Sequence, residues 1–426
     1  MSSALLTDRY ELTMLQAALR DGTAERRCVF EVFTRRLPEG RRYGVVAGTG
    51  RLLTEIEAFR FTGAELGFLR EADVVDDRTC AWLADYRFTG EIDGYPEGEL
   101  YFPGSPILTV TAGFAEAVVL ETLILSVLNF DCAVAAAAAR MVYAAGNRPI
   151  IEMGSRRTHE EAAPSSARAA YLAGFRATSN LAAGDRYGIP TMGTSAHSWT
   201  LLHDREADAF QAQIDALGIG TTLLVDTYDI AAGIRTAIDV AGPTLGAVRI
   251  DSGDLAVLAV QAREQLDSLG ATGTRIVLSG DLDEYALAAL VAAPVDAYGV
   301  GTSVVTGSGA PSAGFVYKLV EVDGRPVAKR SEHKASRGGR KTAVRRHRPT
   351  GTATEEVITS QGQPAAQPGD RGLQIPYSRN GRPVPGPTLE QSRAHLRAVM
   401  GTVPWDGLKL SRGEPAIPTR YAEDSS

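Results

Sequence analysis

The chain has 426 residues, a hydrophobic fraction of 44%, a charged fraction of 22% and a formal net charge of -7. That length is more than one simple core organises and calls for two domains or a barrel with additions, while the composition is that of an ordinary soluble globular protein. The acidic balance argues against a general nucleic-acid binder. Cys28, Cys80 and Cys132, odd in number and far apart, make neither a disulfide framework nor a zinc knuckle.

Met1 to Tyr10 carries Asp8 and Arg9 and no long apolar run, so it does not read as a signal peptide. Leu12 to Arg20 has the spacing of an amphipathic helix, and Cys28 to Phe33 alternates as a strand does. Arg35, Arg36, Arg41 and Arg42 bracket Pro38-Glu39-Gly40, a pattern that suits a solvated hairpin and a phosphate-facing loop equally. Gly44 to Phe59 reads as a glycine-rich entry into a helix. Between Phe88 and Val110 short runs are punctuated by Gly94, Pro96, Gly98, Pro103, Gly104 and Pro106, the pattern of a small mixed domain that ends near Gly113. The longest apolar stretch, Ala112 to Ala145, is interrupted by Glu116, Glu121, Asn129, Asp131 and Arg140, which favours a buried helix pair over a membrane span. We therefore expect a cytoplasmic protein with no membrane or nucleic-acid partner.

Beyond Gly113, alanine-rich helical segments alternate with short apolar strands. Strands are expected at Pro149 to Met153, Ile189 to Met192, Thr222 to Val225, Ala247 to Ile250, Arg275 to Leu278 and Ala297 to Val300. Helices are expected at Ala207 to Leu217, Ile230 to Val240, Leu255 to Leu269 and Glu284 to Val291. Repeated strand-helix alternation implies a parallel sheet, and this many repeats suits an α/β barrel. After Thr306, Phe315 to Val322 reads as a strand turning at Asp323-Gly324. Lys329 to Arg348 is basic, either a phosphate-facing flap or a solvated loop. Gln361 to Pro387, rich in Pro, Gly and Gln, is expected to pack loosely, and Leu389 to Met400 to form a terminal helix. The expected division is 1–113, 114–328 and 329–426, with part of the last joined to the first.

Barrel enzymes carry their chemistry at the carboxyl ends of the strands. Here those ends read Gly154-Ser155-Arg156-Arg157, Gly193-Thr194-Ser195-Ala196-His197, Asp226-Thr227-Tyr228-Asp229, Arg249-Ile250-Asp251-Ser252-Gly253-Asp254, Ser279-Gly280-Asp281 and Gly299-Val300-Gly301-Thr302-Ser303. Arginines offer paired donors to phosphate, glycine turns offer backbone N–H groups, and carboxylates suit magnesium. Each has a plainer account. His197 among small residues could be an ordinary hydrogen-bonded loop histidine, and Asp226, Asp229 and Asp254 could be helix caps. Arg249 and Asp251, two apart on one face, could be a structural ion pair. Gly299-x-Gly301-Thr302 could be a simple strand-to-turn transition.

Taken together with Thr7-Asp8-Arg9-Tyr10, Glu152-Met153-Gly154-Ser155-Arg156-Arg157, Gly174-Phe175 and Ser179-Asn180, these motifs resemble nicotinate phosphoribosyltransferases in content and order, from about Leu5 to about Lys341. The resemblance implies an irregular TIM-like α/β barrel of the type II phosphoribosyltransferases with a smaller mixed α+β N-terminal domain. It implies a homodimer whose active sites are shared between subunits. The implied reaction joins nicotinate to 5-phosphoribosyl 1-diphosphate with Mg2+, coupled to ATP hydrolysis through a phosphohistidine at His197. By the same resemblance Tyr10 and Phe175 stack on the pyridine ring, Tyr10 coming from the partner subunit. Arg249 and Thr194 contact nicotinate, and Ser179 stands where relatives using nicotinamide have an aspartate. Asp226 and Asp251 serve ribose or metal, Gly280, Gly299, Gly301 and Thr302 cradle the 5-phosphate, and Arg35 or Arg36, Arg156 or Arg157, and Lys341 meet diphosphate.

Other classes of function fare differently. A Schiff-base aldolase needs a lysine at a strand end, yet every lysine lies at or after Lys318. A relative using quinolinate or nicotinamide remains open, as does a non-catalytic binding protein, although the latter has no use for His197, Arg249 and Asp251 together. With no cysteine after Cys132, a C-terminal zinc module is not expected.

Overall fold

The computed structural model describes residues 4–330 and 336–422, so part of the expected basic flap, 331–335, lies outside the described residues. The chain divides into two compact units, Met1–Ala136 with Ala310–Ser426, and Ala137–Gly309. The boundary expected at Gly113 falls instead inside Glu121–Ala145, a continuous 25-residue helix. The boundary expected at 328 falls near 310, because the strand Phe315–Val322 pairs along its length with Arg27–Thr34.

The first unit is built on a seven-stranded antiparallel sheet. Its order is Arg325–Pro326, Phe315–Val322, Arg27–Thr34, Leu108–Gly113, Glu91–Gly94, Ile375–Arg379 and Arg382–Pro383. Alternation along Arg27–Thr34 aims Phe30 and Val32 into the core, where Phe30 stacks on Tyr317 with ring centroids 4.7 Å apart. The Gln361 to Pro387 stretch packs less loosely than expected. Its strand Ile375–Arg379 joins this sheet, and Tyr377, 2% exposed, donates its hydroxyl to the Tyr95 carbonyl at 3.0 Å. The expected terminal helix spans Leu389–Met400, opened by a reciprocal Thr388–Gln391 capping box. The segment Phe114–Ala145 is apolar and long enough to cross a membrane by length and composition, but 67% of its apolar window is buried in protein.

The second unit is the barrel part. Six parallel strands form a curled sheet, a half-barrel, in the order Ala177–Thr178, Ile150–Glu152, Ala297–Val300, Arg275–Leu278, Ala247–Ile250 and Thr222–Leu224. The connecting helices include Glu206–Leu217, Ile230–Ala241, Leu255–Ser268 and Glu284–Ala289. Two details differ from expectation. The strand expected at Ile189 to Met192 is reduced to a single bridge, Thr178↔Thr191, since Pro190 has no N–H to give a ladder. Ala177–Thr178, too short to show a period, takes the edge next to Ile150–Glu152. Asp229 and Asp254 are helix caps, accepting from Ala232 N–H at 2.8 Å and Val257 N–H at 3.4 Å.

One polar network stands out in the first unit. Arg345, 1% exposed, donates to Glu99 at 3.3 Å and to Glu356 at 2.7 Å. Glu356 also accepts from the Tyr95 and Ser105 hydroxyls, and Glu99 from Arg371 and His395. Burial alone would raise the Glu99 carboxyl, but His395, Arg345 and Arg371 together hold it well below the usual carboxylate range. Arg345→Met removes the only fully buried cation between two buried carboxylates among the described residues. We expect a loss of about 3–5 kcal/mol in urea unfolding followed by circular dichroism, and a loss under about 1 kcal/mol would contradict this account.

Candidate functional site

The strand Ala247–Ile250 ends with Arg249 pointing into the mouth of the half-barrel, and the turn after it carries Asp251. The Arg249 guanidinium is fixed on three sides. Nε donates to the Ser279 hydroxyl at 2.7 Å, Nη1 to the Thr194 hydroxyl at 2.9 Å, and Nη2 to Asp251 Oδ1 at 2.8 Å. The ion pair with Asp251 is therefore present, but it belongs to a larger set that draws in three strand ends. Burial works against the Asp251 carboxylate. Hydrogen bonds from Ser279 and Arg249, with the charge of Arg249, outweigh it and keep the carboxyl below its ordinary value.

Asp226 supports this set from the neighbouring strand end. Its Oδ2 accepts the Asp251 N–H at 2.8 Å and the Ser252 hydroxyl at 3.0 Å. Its Oδ1 is buried and has no hydrogen-bond partner, although His197 Nε2 lies 4.0 Å away. Asp226 is thus no helix cap. His197 opens the short helix His197–Leu201, with Nδ1 3.1 Å from the Thr227 hydroxyl and its side chain 42% exposed. One ring nitrogen is engaged; the other faces an orphaned carboxylate oxygen.

Beside these residues lies a recess of about 170 Å³ lined by Met153, Arg156, Arg157, Arg249, Asp251, the strand residue Gly299 and the two turns that carry Ser279 to Asp281 and Gly301 with Thr302. Gly280 has φ +103°, and a Cβ there would lie 2.1 Å from the Asp251 carbonyl oxygen, so no other residue fits. Arg156 and Arg157 sit exposed on the single turn Ser155–Arg157 with no ion-pair partner among the described residues. Below them Glu152 is 1% exposed, and burial raises its carboxyl against hydrogen bonds from the Thr178 hydroxyl and Gly154 N–H, both 2.5 Å. Two free guanidiniums, a held one and glycine turns make a recess suited to a phosphorylated ligand.

Sequence reasoning named Arg156, Arg157, Arg249, Asp251, Gly280, Gly299, Gly301 and Thr302, and all of them line this recess. Thr194, Asp226 and His197 adjoin it through the bonds above. Ser279 and Asp281 were visible only as part of a strand end; Asp281 adopts a left-handed backbone at φ +44° in the turn that follows. Ser179 is exposed at the next strand end, its N–H bonded to the Glu152 carbonyl at 2.8 Å.

Phe175 needs correction: it is 0% exposed, packed in the core where the chain leaves the helix Ala163–Ala173, and presents no face for stacking. In the other unit, Tyr10 is 47% exposed on the helix Arg9–Asp21, its hydroxyl pushed up by partial burial and by Glu121 and Glu11. Arg35 and Arg36 line a cavity of about 500 Å³ with Thr34 and Ser312 to Gly314. Lys341 borders a separate cavity, but its Nζ is committed to Glu31 at 2.7 Å and to the carbonyls of Arg337 and Gly339.

Two family models match the chain: the nicotinate phosphoribosyltransferase N-terminal domain over residues 5–129 and the nicotinate phosphoribosyltransferase family over residues 149–357. The chain belongs to the nicotinate phosphoribosyltransferase family. It is 61% identical to nicotinate phosphoribosyltransferase pncB1 of Mycobacterium tuberculosis over 98% of this chain and 95% of that one. It is 38% identical to the Bacillus subtilis nicotinate phosphoribosyltransferase over 76% of this chain and 69% of that one. The crystal structure of human nicotinic acid phosphoribosyltransferase superposes with a TM-score of 0.84 at 25% identity, covering 98% of each chain.

Within this family fold, Arg249 does what no other cation can, because its planar fork reaches Ser279, Thr194 and Asp251 at once. In Arg249→Lys the charge stays but the fork is lost. We expect kcat/KM for nicotinate to fall by about 100-fold in a steady-state assay. An unchanged kcat/KM would show that the fork is only structural.

Proposed function

We propose that this chain transfers the phosphoribosyl group of 5-phosphoribosyl 1-diphosphate to the ring nitrogen of nicotinate, forming nicotinate mononucleotide and diphosphate in NAD salvage. ATP hydrolysis through a phosphohistidine at His197 accompanies the transfer. The observation that carries this reading is the pairing of the recess with His197: an arginine- and glycine-lined pocket suited to an anion stands beside an imidazole whose Nε2 faces the unpartnered Asp226 oxygen.

The pyridine nitrogen is already a lone-pair nucleophile, so the site has no need of a base to activate it. Its work is positioning and charge stabilisation at the departing diphosphate and the cationic ribose. Gly280, Gly299, Gly301 and Thr302 would hold the 5-phosphate with backbone N–H groups, Asp251 and Asp281 the ribose hydroxyls, and Arg156 and Arg157 the anionic leaving group. Arg249, with Thr194, would hold the nicotinate carboxylate through the N–H of Nη2 that Asp251 does not use. The neutral Ser179 hydroxyl favours this acid over the amide, since an aspartate there would repel a carboxylate.

In the tautomer whose Nδ1–H donates to the Thr227 hydroxyl, the Nε2 lone pair of His197 would be the nucleophile for phosphoryl transfer. The Nε2–P bond forms as the bond from the γ-phosphorus to the ADP oxygen breaks, and water later cleaves the N–P bond to release phosphate. The family resemblance also implies Mg2+. No cluster of three or more acidic, His or Cys side chains is present among the described residues, but magnesium is commonly held by one or two carboxylates together with substrate phosphates. Asp226, with its orphaned Oδ1, and Asp251 fit that pattern and would hold the ion, which when bound neutralises charge on the diphosphate. A recess of about 170 Å³ is smaller than a pocket enclosing a whole drug-sized ligand, roughly 300 Å³ or more. The family resemblance implies a dimer, in which the partner subunit would complete the site, Tyr10 and Arg35 or Arg36 being the groups it would lend. A cytoplasmic location follows from this metabolic role.

Product analysis with nicotinate, nicotinamide and quinolinate, each with phosphoribosyl diphosphate and magnesium, tests the assignment. We expect nicotinate mononucleotide as the main product, with a rate that rises on adding ATP. Ser179→Asp should lower kcat/KM for nicotinate by at least about tenfold through charge repulsion. Turnover of quinolinate or nicotinamide in preference to nicotinate would refute the substrate assignment.

A further inference from the structure

Behind the recess, within the same unit, lies a buried ion pair that no helix or strand requires for its own backbone. Arg140, 3% exposed, donates from Nε to Glu284 Oε1 at 3.0 Å, and Glu284 is fully buried. Arg140 Nη2 also reaches the Tyr285 hydroxyl at 3.3 Å. The second carboxylate oxygen, Oε2, accepts the Ser308 hydroxyl at 2.5 Å. Two buried charges are often replaceable by packed apolar groups without loss, so it is the placement of this pair that calls for explanation.

The carboxylate links the two turns that line the recess. Glu284 opens the helix Glu284–Ala289 just downstream of Gly280 and Asp281, and Asp283 caps that helix through the Tyr285 and Ala286 N–H groups. Ser308 closes the short helix Thr302–Val305 that begins at Gly301. The Ser308 N–H donates to the Ser303 carbonyl at 2.6 Å, and the Gly307 N–H to the Val304 carbonyl at 3.1 Å. Ser308 has φ +48° between Gly307 at +63° and Gly309 at +80°. A third glycine would sit there without strain, whereas serine bears the cost of a left-handed backbone and contributes only its hydroxyl, which is the link to Glu284.

We propose that Glu284, held by Arg140, is a positioning residue of the phosphoribosyl recess, fixing the Ser279 to Asp281 loop and the Gly301–Thr302 turn at the separation a 5-phosphate requires. This rests on the recess being the phosphoribosyl site. Backbone N–H groups cannot be re-aimed by changing a rotamer, so any drift of either turn alters their distance to the anion directly. Arg140 neutralises the carboxylate, so Glu284 can stand behind the recess without repelling the phosphate that enters it.

The test uses the full chain and two variants, Ser308→Gly, which removes the hydroxyl while relaxing the backbone, and Glu284→Gln. KM for phosphoribosyl diphosphate and the calorimetric Kd for ribose 5-phosphate should each rise about tenfold in both, while kcat and KM for nicotinate stay within about twofold. Should Glu284→Gln fail to fold, Ser308→Gly decides alone. Ser308→Gly binding ribose 5-phosphate as tightly as the wild type would overturn the proposal, leaving the recess assignment intact. A wild type that binds no ribose 5-phosphate would remove the recess assignment, and the proposal with it.

Discussion

The carboxylate of Asp226 is the constraint on which the strand ends depend. One oxygen fastens the turn after Ala247–Ile250 through the Asp251 N–H and the Ser252 hydroxyl. That placement lets Asp251 receive Arg249, which in turn reaches Thr194 and Ser279. The other oxygen is left buried without a donor, 4.0 Å from His197 Nε2. An unpartnered buried carboxylate oxygen is expensive in a resting protein, and its natural complements are a cation, a protonated imidazole or a ligand hydroxyl. The same residue thus builds the site, and under the proposed function its free oxygen would meet the charge that arrives with the substrates.

Much of this was legible from the residues. Strand-helix alternation located Ala247–Ile250, Arg275–Leu278 and Ala297–Val300 at their observed bounds, because buried parallel strands are short apolar runs that end abruptly in turn chemistry. Those ends carried the recess residues with them. Phe175 shows where the motif argument failed: an aromatic beside a glycine is equally a core residue closing a helix, and only packing tells the two apart. The two-unit division was hidden for a different reason. Residues 310–426 join the first unit through pairings of long sequence separation, such as Phe315–Val322 with Arg27–Thr34, which no local pattern encodes.

The ion pairs of Arg140 and Arg345 escaped the sequence. Arg140 lies in an alanine-rich helix where it read as an interruption of apolarity, and Glu284 was named only as the start of an expected helix. Arg345 stands next to Arg346 in a basic stretch, so nothing set it apart from an exposed charge. In each case a charge is tolerated because a partner distant in sequence meets it, and the fold gains a fixed geometry at a cost in desolvation. The two networks occupy different units and serve different ends. The Arg345 network ties strands of the C-terminal segment to Glu99, while the Arg140 pair stands behind the recess.

The most direct test of the central claim is to incubate the protein with magnesium and ATP labelled at the γ-phosphate, then map the label by peptide mass spectrometry. The account predicts about one acid-labile phosphate per chain on His197 and none in His197→Ala. ATP-stimulated formation of nicotinate mononucleotide with no label on His197 would contradict it.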